Sequence, residues 1–491
     1  MRRFKEVGLR KAIGAGKSQV WQQFLTEAIM ISLAALLLSY FLFLVLRPQL
    51  INLAPEMQRT VKLELTPSMV ITFIVFSVTV GVITGFMPAL FFSKVSAINA
   101  LRNILSVKVY KHVTLKHSLV VIQYTFTLIF IITTAIGYVQ YKNILAFDLG
   151  FHTENILNIN MQGNKPDALL KELGEMPEVT ALSRSLIVTS VGNAWGGYVK
   201  YNNSRDSALV MTNNVDENYL PLHDYKLLAG GNFRARPITA KAATEFIVNE
   251  QMLKRFNIAT NDPQKAIGKE ITFSNFSGTR RMTIVGVMKD FHYGKVENLI
   301  EPVAFMPWTP EDRAVINAKI QSADMLATRA KIESAWKKID RVHPFEAEFY
   351  DESIEEAYSE FSAMIKIIGF LSFLAISIAS MGLFGMVVFT TETRLKEISI
   401  RKVMGASSGN LIYLLSRSFL VLLSISTLIA LPVTYLFFEN VVLTKFPYHT
   451  PVQIAELFGG LLAVLLIAVM MIGSQTMKAA KSNPVAVLKS E

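Results

Sequence analysis

Six long apolar blocks constrain this chain more than any other feature of its sequence. Each block is long enough to cross a hydrocarbon layer about 30 Å thick, which takes roughly 20 helical residues. We predict membrane spans at 24–46, 69–92, 118–140, 364–389, 411–438 and 454–474. Because 51% of the residues are hydrophobic and these blocks hold the excess, the sequence predicts a polytopic α-helical membrane protein with six spans surrounded by membrane lipid.

The stretch 142–360 separates the third block from the fourth and is long enough for a domain of its own. Strand-like runs occur at 245–249, 282–288 and 314–320, and helix-like runs at 165–176 and 324–340. We therefore predict one α+β domain that is attached to spans at both of its ends.

Basic residues are concentrated outside that stretch. Residues 142–360 contain 25 Lys and Arg against 29 Asp and Glu, whereas the rest of the chain contains 24 against 9. The basic residues outside 142–360 flank apolar blocks, as they do in the loops of a membrane protein. Nucleic acid is therefore not an expected partner.

The same residues indicate orientation. Short segments rich in Lys and Arg occur at 1–20, 93–117 and 392–410, whereas 47–68 and 439–453 are poorer. Because cytoplasmic loops carry the excess of Lys and Arg, both termini are predicted to be cytoplasmic and residues 142–360 periplasmic.

Catalytic chemistry is not indicated in this sequence. The chain has no cysteine, which excludes disulfides, thiolate metal sites and a cysteine nucleophile. The four histidines of 142–360 lack metal-ligand spacing. Asp290-Phe291-His292 is interpreted as a strand-to-turn cap with a packed aromatic ring, in preference to a catalytic pair. We predict no catalytic residue, no metal site and no cofactor.

Nucleotide binding is not indicated either. The segment 14–18, GAGKS, resembles the end of a phosphate-binding loop, but Lys11 occupies the position where that loop needs its first glycine. An ATPase that works with this chain would therefore be a separate subunit.

Four ionisable residues fall inside the blocks, each within about two turns of a predicted end; they are Glu27, Lys366, Arg417 and Glu456. Long side chains at such positions are expected to extend to the interface. An ion-coupled carrier normally has a carboxylate or histidine relay near the midplane, and the blocks contain none.

A 13-residue motif occurs twice. Residues 3–15 are RFKEVGLRKAIGA and residues 394–406 are RLKEISIRKVMGA, with seven identical positions. Each copy is followed by a span, a short loop, a second span and a further segment, and those last segments, 93–102 and 480–489, are also alike. The sequence therefore contains one membrane unit twice, in the same orientation.

Each copy of the motif predicts a short amphipathic helix. The apolar side is predicted to consist of Phe4, Val7, Leu9 and Ile13 in the first copy, and of Leu395, Ile398, Val403 and Met404 in the second. Both copies contain an i,i+4 Glu–Arg pair and end on a glycine suited to a left-handed helix C-terminus. Such a helix is either a passive interfacial anchor or a docking element for a cytoplasmic partner, and two copies favour a two-fold partner.

These residues resemble the FtsX-like/MacB-like permeases of ABC transporters. The resemblance rests on KEVGLRKAIGA, KEISIRKVMGA and the trailing NPVAVLK, and on stretches of 142–360 such as FIVNEQMLKRFNI and MTIVGVMKDFHYGKVENLIEPV. It implies a bacterial inner-membrane protein in which residues 142–360 are a MacB-like core domain. It also implies permease repeats at 1–117 and 361–491, separated by the span 118–140 and the core domain.

In that family the basic motif forms a helix that seats on a dimeric cytoplasmic ABC ATPase. The resemblance assigns one seat to Lys5, Glu6, Arg10, Lys11 and Gly14, and the other to Lys396, Glu397, Arg401, Lys402 and Gly405. It implies export or mechanotransmission driven by ATP, with a periplasmic adaptor or a cell-wall hydrolase as a further partner. The alternative is an ATP-independent sensor or scaffold with a ligand-binding outer domain.

The two-repeat form resembles the large permeases of Bacteroidetes-type bacteria. A complete member of that form has a span, an outer domain and another span before the first motif, whereas this sequence begins at the motif. We therefore expect either an N-terminal truncation or a reduced form.

Overall fold

The computed structural model of this chain describes residues 2–53, 63–94, 113–202, 205–235, 244–259 and 261–480. The chain forms two compact units. The helical unit comprises Met1–Ile136, Ala363–Thr434 and Ile454–Glu491, and the sheet unit comprises Gly137–Ser362 and Tyr435–Gln453.

The helical unit consists of helices, and the sheet unit also contains several. In chain order they are α1 (Arg2–Ala12), α2 (Lys17–Ile51), α3 (Pro67–Lys94), α4 (Val113–Leu145), α5 (Asp167–Gly174), α6 (Tyr219–Leu222), α7 (Glu250–Phe256), α8 (Met325–Ile339), α9 (Tyr350–Ala357), α10 (Ser359–Thr393), α11 (Leu395–Val403), α12 (Ser408–Phe437) and α13 (Ile454–Ala480). A π-helical turn, Phe438–Val442, follows α12.

The six predicted apolar blocks coincide with α2, α3, α4, α10, α12 and α13. Six helices among the described residues are long and apolar enough to cross a membrane, which confirms that part of the prediction. Glu456 differs from the expectation. It is only 6% exposed near the start of α13, so its side chain is buried within the protein and not extended from the surface.

A stripe of small residues holds α2 against α3. Along α3, Ser77, Gly81, Gly85 and Ala89 recur every four residues and so share one face. A Cβ at Gly81 would lie 2.7 Å from the Cα of Ile29, so the two backbones are too close for any side chain there. Small residues allow such approach, which is how apolar helices gain contact in a lipid solvent.

Hydroxyl groups join α4 to α10. The hydroxyl oxygens of Thr134 and Ser372 are 2.8 Å apart, and the Tyr124 hydroxyl donates to the carbonyl of Ala379 at 3.4 Å. These helices therefore combine close packing with hydrogen bonds between polar groups, the second means by which spans associate.

Eleven strands form one sheet among the described residues of the sheet unit. In chain order they are β1 (Ile156–Asn160), β2 (Val179–Ser185), β3 (Gly196–Lys200), β4 (Ser207–Val215), β5 (Leu227–Gly230), β6 (Glu245–Asn249), β7 (Glu270–Asn275), β8 (Gly278–Met288), β9 (Val303–Pro307), β10 (Val315–Ile320) and β11 (Ala347–Phe349). The predicted strands at 245–249, 282–288 and 314–320 correspond to β6, β8 and β10, and the predicted helices at 165–176 and 324–340 to α5 and α8.

Six of these strands close into a ring. Its order is β4-β3-β7-β8-β6-β9, and a parallel pairing of β9 with β4 completes it. Apolar side chains from these strands and from α7 fill a core that includes Phe246, Phe273 and Met282, all fully buried. We call these six strands the ring.

The other strands, β11-β1-β10-β2, form a half-sheet with two unlike faces. Leu157 and Ile159 alternate with Asn158 along β1, and they pack with Trp336 of α8 in an apolar core. The opposite face is mixed: Ile156 packs in a second apolar core, whereas Asn158 lies opposite Asn317 of β10. One face is thus covered by helices and the other carries amide side chains.

The segment Tyr435–Gln453 packs with the sheet unit. The Gln140 amide donates to the carbonyl of Thr450 at 2.6 Å and its oxygen accepts from the Thr450 backbone at 3.3 Å. The Tyr448 ring lies 4.7 Å from the ring of His292 and 5.7 Å from that of Phe147, measured between centroids. Burial lowers the pKa of His292, so these contacts involve a neutral imidazole.

The Asp290-Phe291-His292 segment is a cap with a packed ring, as interpreted from the sequence. Asp290 Oδ1 accepts a hydrogen bond from the backbone of Gln251 at the start of α7. Phe291 is 1% exposed within an aromatic core.

Replacing Gly81 or Gly85 by leucine is expected to destabilise the protein by about 1–3 kcal/mol, because the added side chain forces α2 and α3 apart. The measurement is thermal unfolding of the purified full-length protein in lipid nanodiscs. Gly385→Leu is the matched control, since a Cβ there meets no atom within 4 Å. Equal melting temperatures for Gly81→Leu and Gly385→Leu would show that the stripe does not hold these helices.

Candidate coupling helices

The two copies of the repeated motif form two helices with the same ending. In α1 the backbone N–H of Ala15 donates to the carbonyl of Arg10 at 2.9 Å, and that of Gly14 donates to Lys11 at 3.2 Å. Gly14 has a φ of +106°. This pair of hydrogen bonds around a left-handed residue is a Schellman motif, which satisfies carbonyls that a helix C-terminus leaves free.

The second helix, α11, repeats these bonds. Ala406 donates to Arg401 at 2.9 Å and Gly405 donates to Lys402 at 3.1 Å, with a φ of +92° at Gly405. A residue with a Cβ is strained at such a φ, so the backbone conformation explains why both motifs have glycine at this position. The predicted glycine caps are confirmed at both sites.

Each helix also carries the predicted ion pair. Arg10 Nη2 is 2.7 Å from Glu6 Oε1, and Arg401 Nη2 is 2.8 Å from Glu397 Oε1. All four side chains are about half exposed. An exposed i,i+4 pair contributes only about 0.3–0.5 kcal/mol to stability, so folding energy is a weak reason for its recurrence.

Residues at the same motif position are buried in both helices. Val7 is 5% exposed and packs with Val20 and Phe24 of α2, and Ile398, its counterpart in α11, is 3% exposed. The neighbouring positions Gly8 and Ser399 are buried as well.

The predicted apolar sides are wrong in part. Leu9 and Ile13 are exposed, and so are Val403 and Met404 in the second copy. The exposed fraction is 78% for Ile13 and 82% for Met404, which occupy equivalent positions. The helices are short and end in a sharp turn, so among the stripe residues whose side chains are described only Val7 and Ile398 are buried, and the others project from the surface.

Lys11 caps the end of another helix. Its ammonium group donates to the carbonyl of Ser93 at 2.7 Å, in the last turn of α3, where carbonyls lack intrahelical partners. Burial, followed by repulsion from Lys17, lowers the pKa of Lys11. In the second repeat, α11 contacts α13, the helix that corresponds to α3.

Some predicted residues lie outside the described part of the structure. Lys5 and Lys396 belong to α1 and α11, but their side chains are not among those described. The trailing segments 93–102 and 480–489 are described only up to Lys94 and Ala480.

The described residues of α1 and α11 therefore bring together exposed charges and exposed apolar side chains in the same order. Such a surface is suited to contact with a protein, because apolar groups supply buried area and charges orient the partner. Metal chemistry is not indicated: no group of three or more His, Asp or Glu side chains within the described ranges could hold a metal ion.

Two protein-family models match the chain. A MacB-like periplasmic core domain matches residues 126–335, and an FtsX-like permease C-terminal domain matches residues 1–100 and 369–484. The Macrolide export ATP-binding/permease protein MacB of Agrobacterium fabrum is 34% identical over 99 residues. That alignment covers 20% of this chain and 15% of the relative, so most of the relative has no counterpart in it.

Several solved structures are similar to part of this chain, and three of them follow. The periplasmic region of MacB from Actinobacillus actinomycetemcomitans is 14% identical, covers 41% of this chain and 91% of its own, and has a TM-score of 0.31. The extracellular domain of the noncanonic ABC-type transporter YknZ from Gram-positive bacteria is 11% identical, with coverages of 39% and 100% and a TM-score of 0.29. A domain of a putative permease from Porphyromonas gingivalis is 15% identical, with coverages of 38% and 85% and a TM-score of 0.28.

Replacing Gly14 or Gly405 by alanine is expected to destabilise the end of its helix by about 1 kcal/mol, because alanine disfavours the left-handed backbone. Hydrogen exchange of the Ala15 and Ala406 amides, which donate within the two caps, measures the loss. Gly16→Ala is the control, since Gly16 has a φ of −73° and open space around it. If Gly16→Ala accelerates exchange at Ala15 as much as Gly14→Ala does, the caps do not depend on the left-handed residue.

Proposed function

This chain belongs to the FtsX-like/MacB-like family of ABC permeases, and from that premise we propose that it is the membrane subunit of a complex in which a separate cytoplasmic ATPase moves the sheet unit. The chain itself is non-catalytic in this proposal. The output is export, or mechanotransmission to a periplasmic adaptor or a cell-wall hydrolase.

The duplicated surface of α1 and α11 carries the proposal. Both helices present a half-exposed arginine paired to a glutamate, the same cap, and an exposed apolar residue at the same position. An ABC ATPase acts as a dimer, and a two-fold partner requires two equivalent contacts. We assign one contact to the helix that contains Glu6 and Arg10 and the other to the helix that contains Glu397 and Arg401.

The path of the chain suggests how motion passes outward. Helix α10 is continuous over 35 residues, which corresponds to about 52 Å at 1.5 Å per residue. Arg394 alone separates it from α11, and Tyr358 alone separates it from α9 of the sheet unit. A displacement of α11 by the ATPase would therefore be passed along one unbroken helix to the sheet unit.

In the proposed orientation α1, α11 and both ends of the chain face the cytoplasm of a bacterial inner membrane, and the sheet unit is periplasmic. The distribution of Lys and Arg supports this orientation. The periplasmic type of the family model matching 126–335 supports it as well.

Labelling of single cysteines tests the orientation, because the natural sequence contains none. In inverted membrane vesicles, Ile13→Cys and Met404→Cys are expected to react with a membrane-impermeant maleimide, since both positions are highly exposed. Val342→Cys, 85% exposed in the sheet unit, is the control and is expected to react only in right-side-out vesicles. Labelling of Ile13→Cys and Met404→Cys on opposite sides would rule out one ATPase dimer contacting both helices.

Charge reversal tests the contact with the ATPase. The double variant Arg10→Glu and Arg401→Glu is expected to lose about tenfold or more of the ATP hydrolysis that co-purifies with the tagged full-length protein from its host, because removing a buried charged contact costs about 2–5 kcal/mol. A loss could also arise from weakened helices, since each substitution places two glutamates at i and i+4.

A charge-swapped control separates these causes. Exchanging both pairs, with Glu6→Arg and Arg10→Glu together with Glu397→Arg and Arg401→Glu, keeps an ion pair within each helix. Co-purified hydrolysis is expected to remain lost in this variant. If the swap restores it, the pairs serve only helix stability. If wild-type protein carries no ATPase activity at all, the ATP-independent sensor or scaffold becomes the better account.

A further inference from the structure

A cleft of about 1270 Å³ in the sheet unit is not used by the coupling proposal. Its lining comes from both the half-sheet and the ring, with β1 on one side and the β7–β8 hairpin on the other. Sites for small molecules usually measure about 300–1,000 Å³. The volume of this cleft is therefore more suited to a segment of a polymer.

Asn158 lines this cleft without a partner for its side chain. It is 6% exposed, and neither the nitrogen nor the oxygen of its carboxamide has a hydrogen-bond partner. A buried polar group left unpaired costs about 1–3 kcal/mol. Asn158 therefore costs stability in the free protein.

The neighbouring asparagine on the same face differs. Asn317, directly opposite Asn158 in the β1–β10 register, is 1% exposed, and its amide donates to the hydroxyls of Ser183 at 3.3 Å and Ser185 at 3.1 Å. Of these two facing asparagines, Asn158 lines the cleft and lacks a partner, whereas Asn317 is bonded and is not part of the lining.

Two further side chains of the lining have unused polar atoms. The side-chain oxygen of Asn214 in β4 and the Nε of Arg280 in β8 are buried without a hydrogen-bond partner. Together with Asn158 they provide two donors and two acceptors. A ligand that satisfies them must itself carry donors and acceptors side by side.

Three acidic groups of the lining already accept hydrogen bonds from within the sheet unit. Glu346 accepts from the Asn160 amide at 3.1 Å, and Glu348 accepts from the Ser353 hydroxyl at 3.1 Å. Asp312 accepts from the backbone of Thr309 at 2.8 Å. The unused atoms of Asn158 and Asn214 are neutral amide atoms, whereas the unused Nε belongs to the Arg280 cation, so the ligand must present hydrogen-bond acceptors to Arg280 and both donors and acceptors to the amides.

Apolar side chains complete the site. Ile187, Val188 and Val191 line the cleft from the segment after β2, and Trp195 and Phe276 are 48% and 100% exposed. The antiparallel pairing of Tyr198 with Ser274 places both aromatic residues toward the same end of β3 and β7. Exposed aromatic residues at a cleft are typical of binding surfaces.

We propose that this cleft binds an extended polypeptide segment, whose peptide groups pair with Asn158, Asn214 and Arg280 and whose apolar side chains contact Ile187, Val188 and Trp195. A peptide group carries one N–H and one C=O, which matches the two unused atoms of a carboxamide. A polysaccharide also has donors and acceptors, but it would leave the aliphatic wall without apolar partners. The proposal does not depend on the ATPase contact.

The test uses the full-length protein in lipid nanodiscs and a phage-displayed library of random linear dodecapeptides. Enriched peptides are synthesised, and their dissociation constants are measured by fluorescence polarisation. Asn158→Ala is expected to weaken them about tenfold, and Trp195→Ala to weaken them by a similar factor. Leu326→Ala, at an exposed position of α8 outside the lining, is the control and is expected to bind as the wild type does.

Stability distinguishes a binding role from a structural one. Asn158→Ala is expected to keep or raise the melting temperature, because it removes an unpaired buried amide, whereas Asn317→Ala is expected to lower it by removing two hydrogen bonds. A lower melting temperature for Asn158→Ala, with peptide affinity unchanged, would overturn the proposal.

Two other results would also overturn it. One is the absence of any peptide enriched over empty nanodiscs. The other is binding of chitohexaose in place of peptides, lost in Asn158→Ala, which would assign the cleft to a polysaccharide. The variant with Arg10→Glu and Arg401→Glu is expected to bind the peptides normally, so a failure of the ATPase proposal is distinguishable from a failure of this one.

Discussion

Satisfaction of backbone hydrogen bonds within each apolar helix is the constraint on which the rest of this structure depends. In hydrocarbon an unpaired N–H or C=O costs several kcal/mol, so each span must be an unbroken helix. Lipid removes the hydrophobic drive between helices, and association then requires close contact or hydrogen bonds. The Gly81 approach to Ile29 and the Thr134–Ser372 contact are one example of each.

Features set by local sequence could be predicted. The lengths of the apolar blocks predicted the six helices because length alone decides whether a helix can cross a membrane. The motif predicted the Glu6–Arg10 pair and the cap at Gly14, since spacing along a helix and backbone conformation determine both. The strand-like runs at 245–249 and 282–288 predicted β6 and β8, because the residue types that favour strands are a local feature of the sequence.

Features that depend on distant parts of the chain could not be predicted in this way. Leu9 was expected to be buried, but burial requires a neighbouring helix on that side; Leu9 is 57% exposed, whereas Val7 packs against α2. The pairing of β9 with β4 that closes the ring and the contact of Thr450 with Gln140 join residues far apart in sequence. The small-residue stripe of α3 was visible as Gly81 and Gly85 four residues apart, a signal that hydropathy alone does not register.

The exposed surface of α1 and α11 and the cleft of the sheet unit share an energetic property that folding does not explain. The Glu–Arg pairs on α1 and α11 are about half exposed, and such pairs contribute only about 0.3–0.5 kcal/mol each to stability. Asn158 opposes folding because its buried amide is unpaired, while Asn317, one strand away, is fully bonded. Contact with a partner would explain the presence of groups that add little to stability or reduce it. On that argument the helical unit and the sheet unit each present a surface that is complete only in a complex, and the unbroken α10 connects the chain segments that carry them.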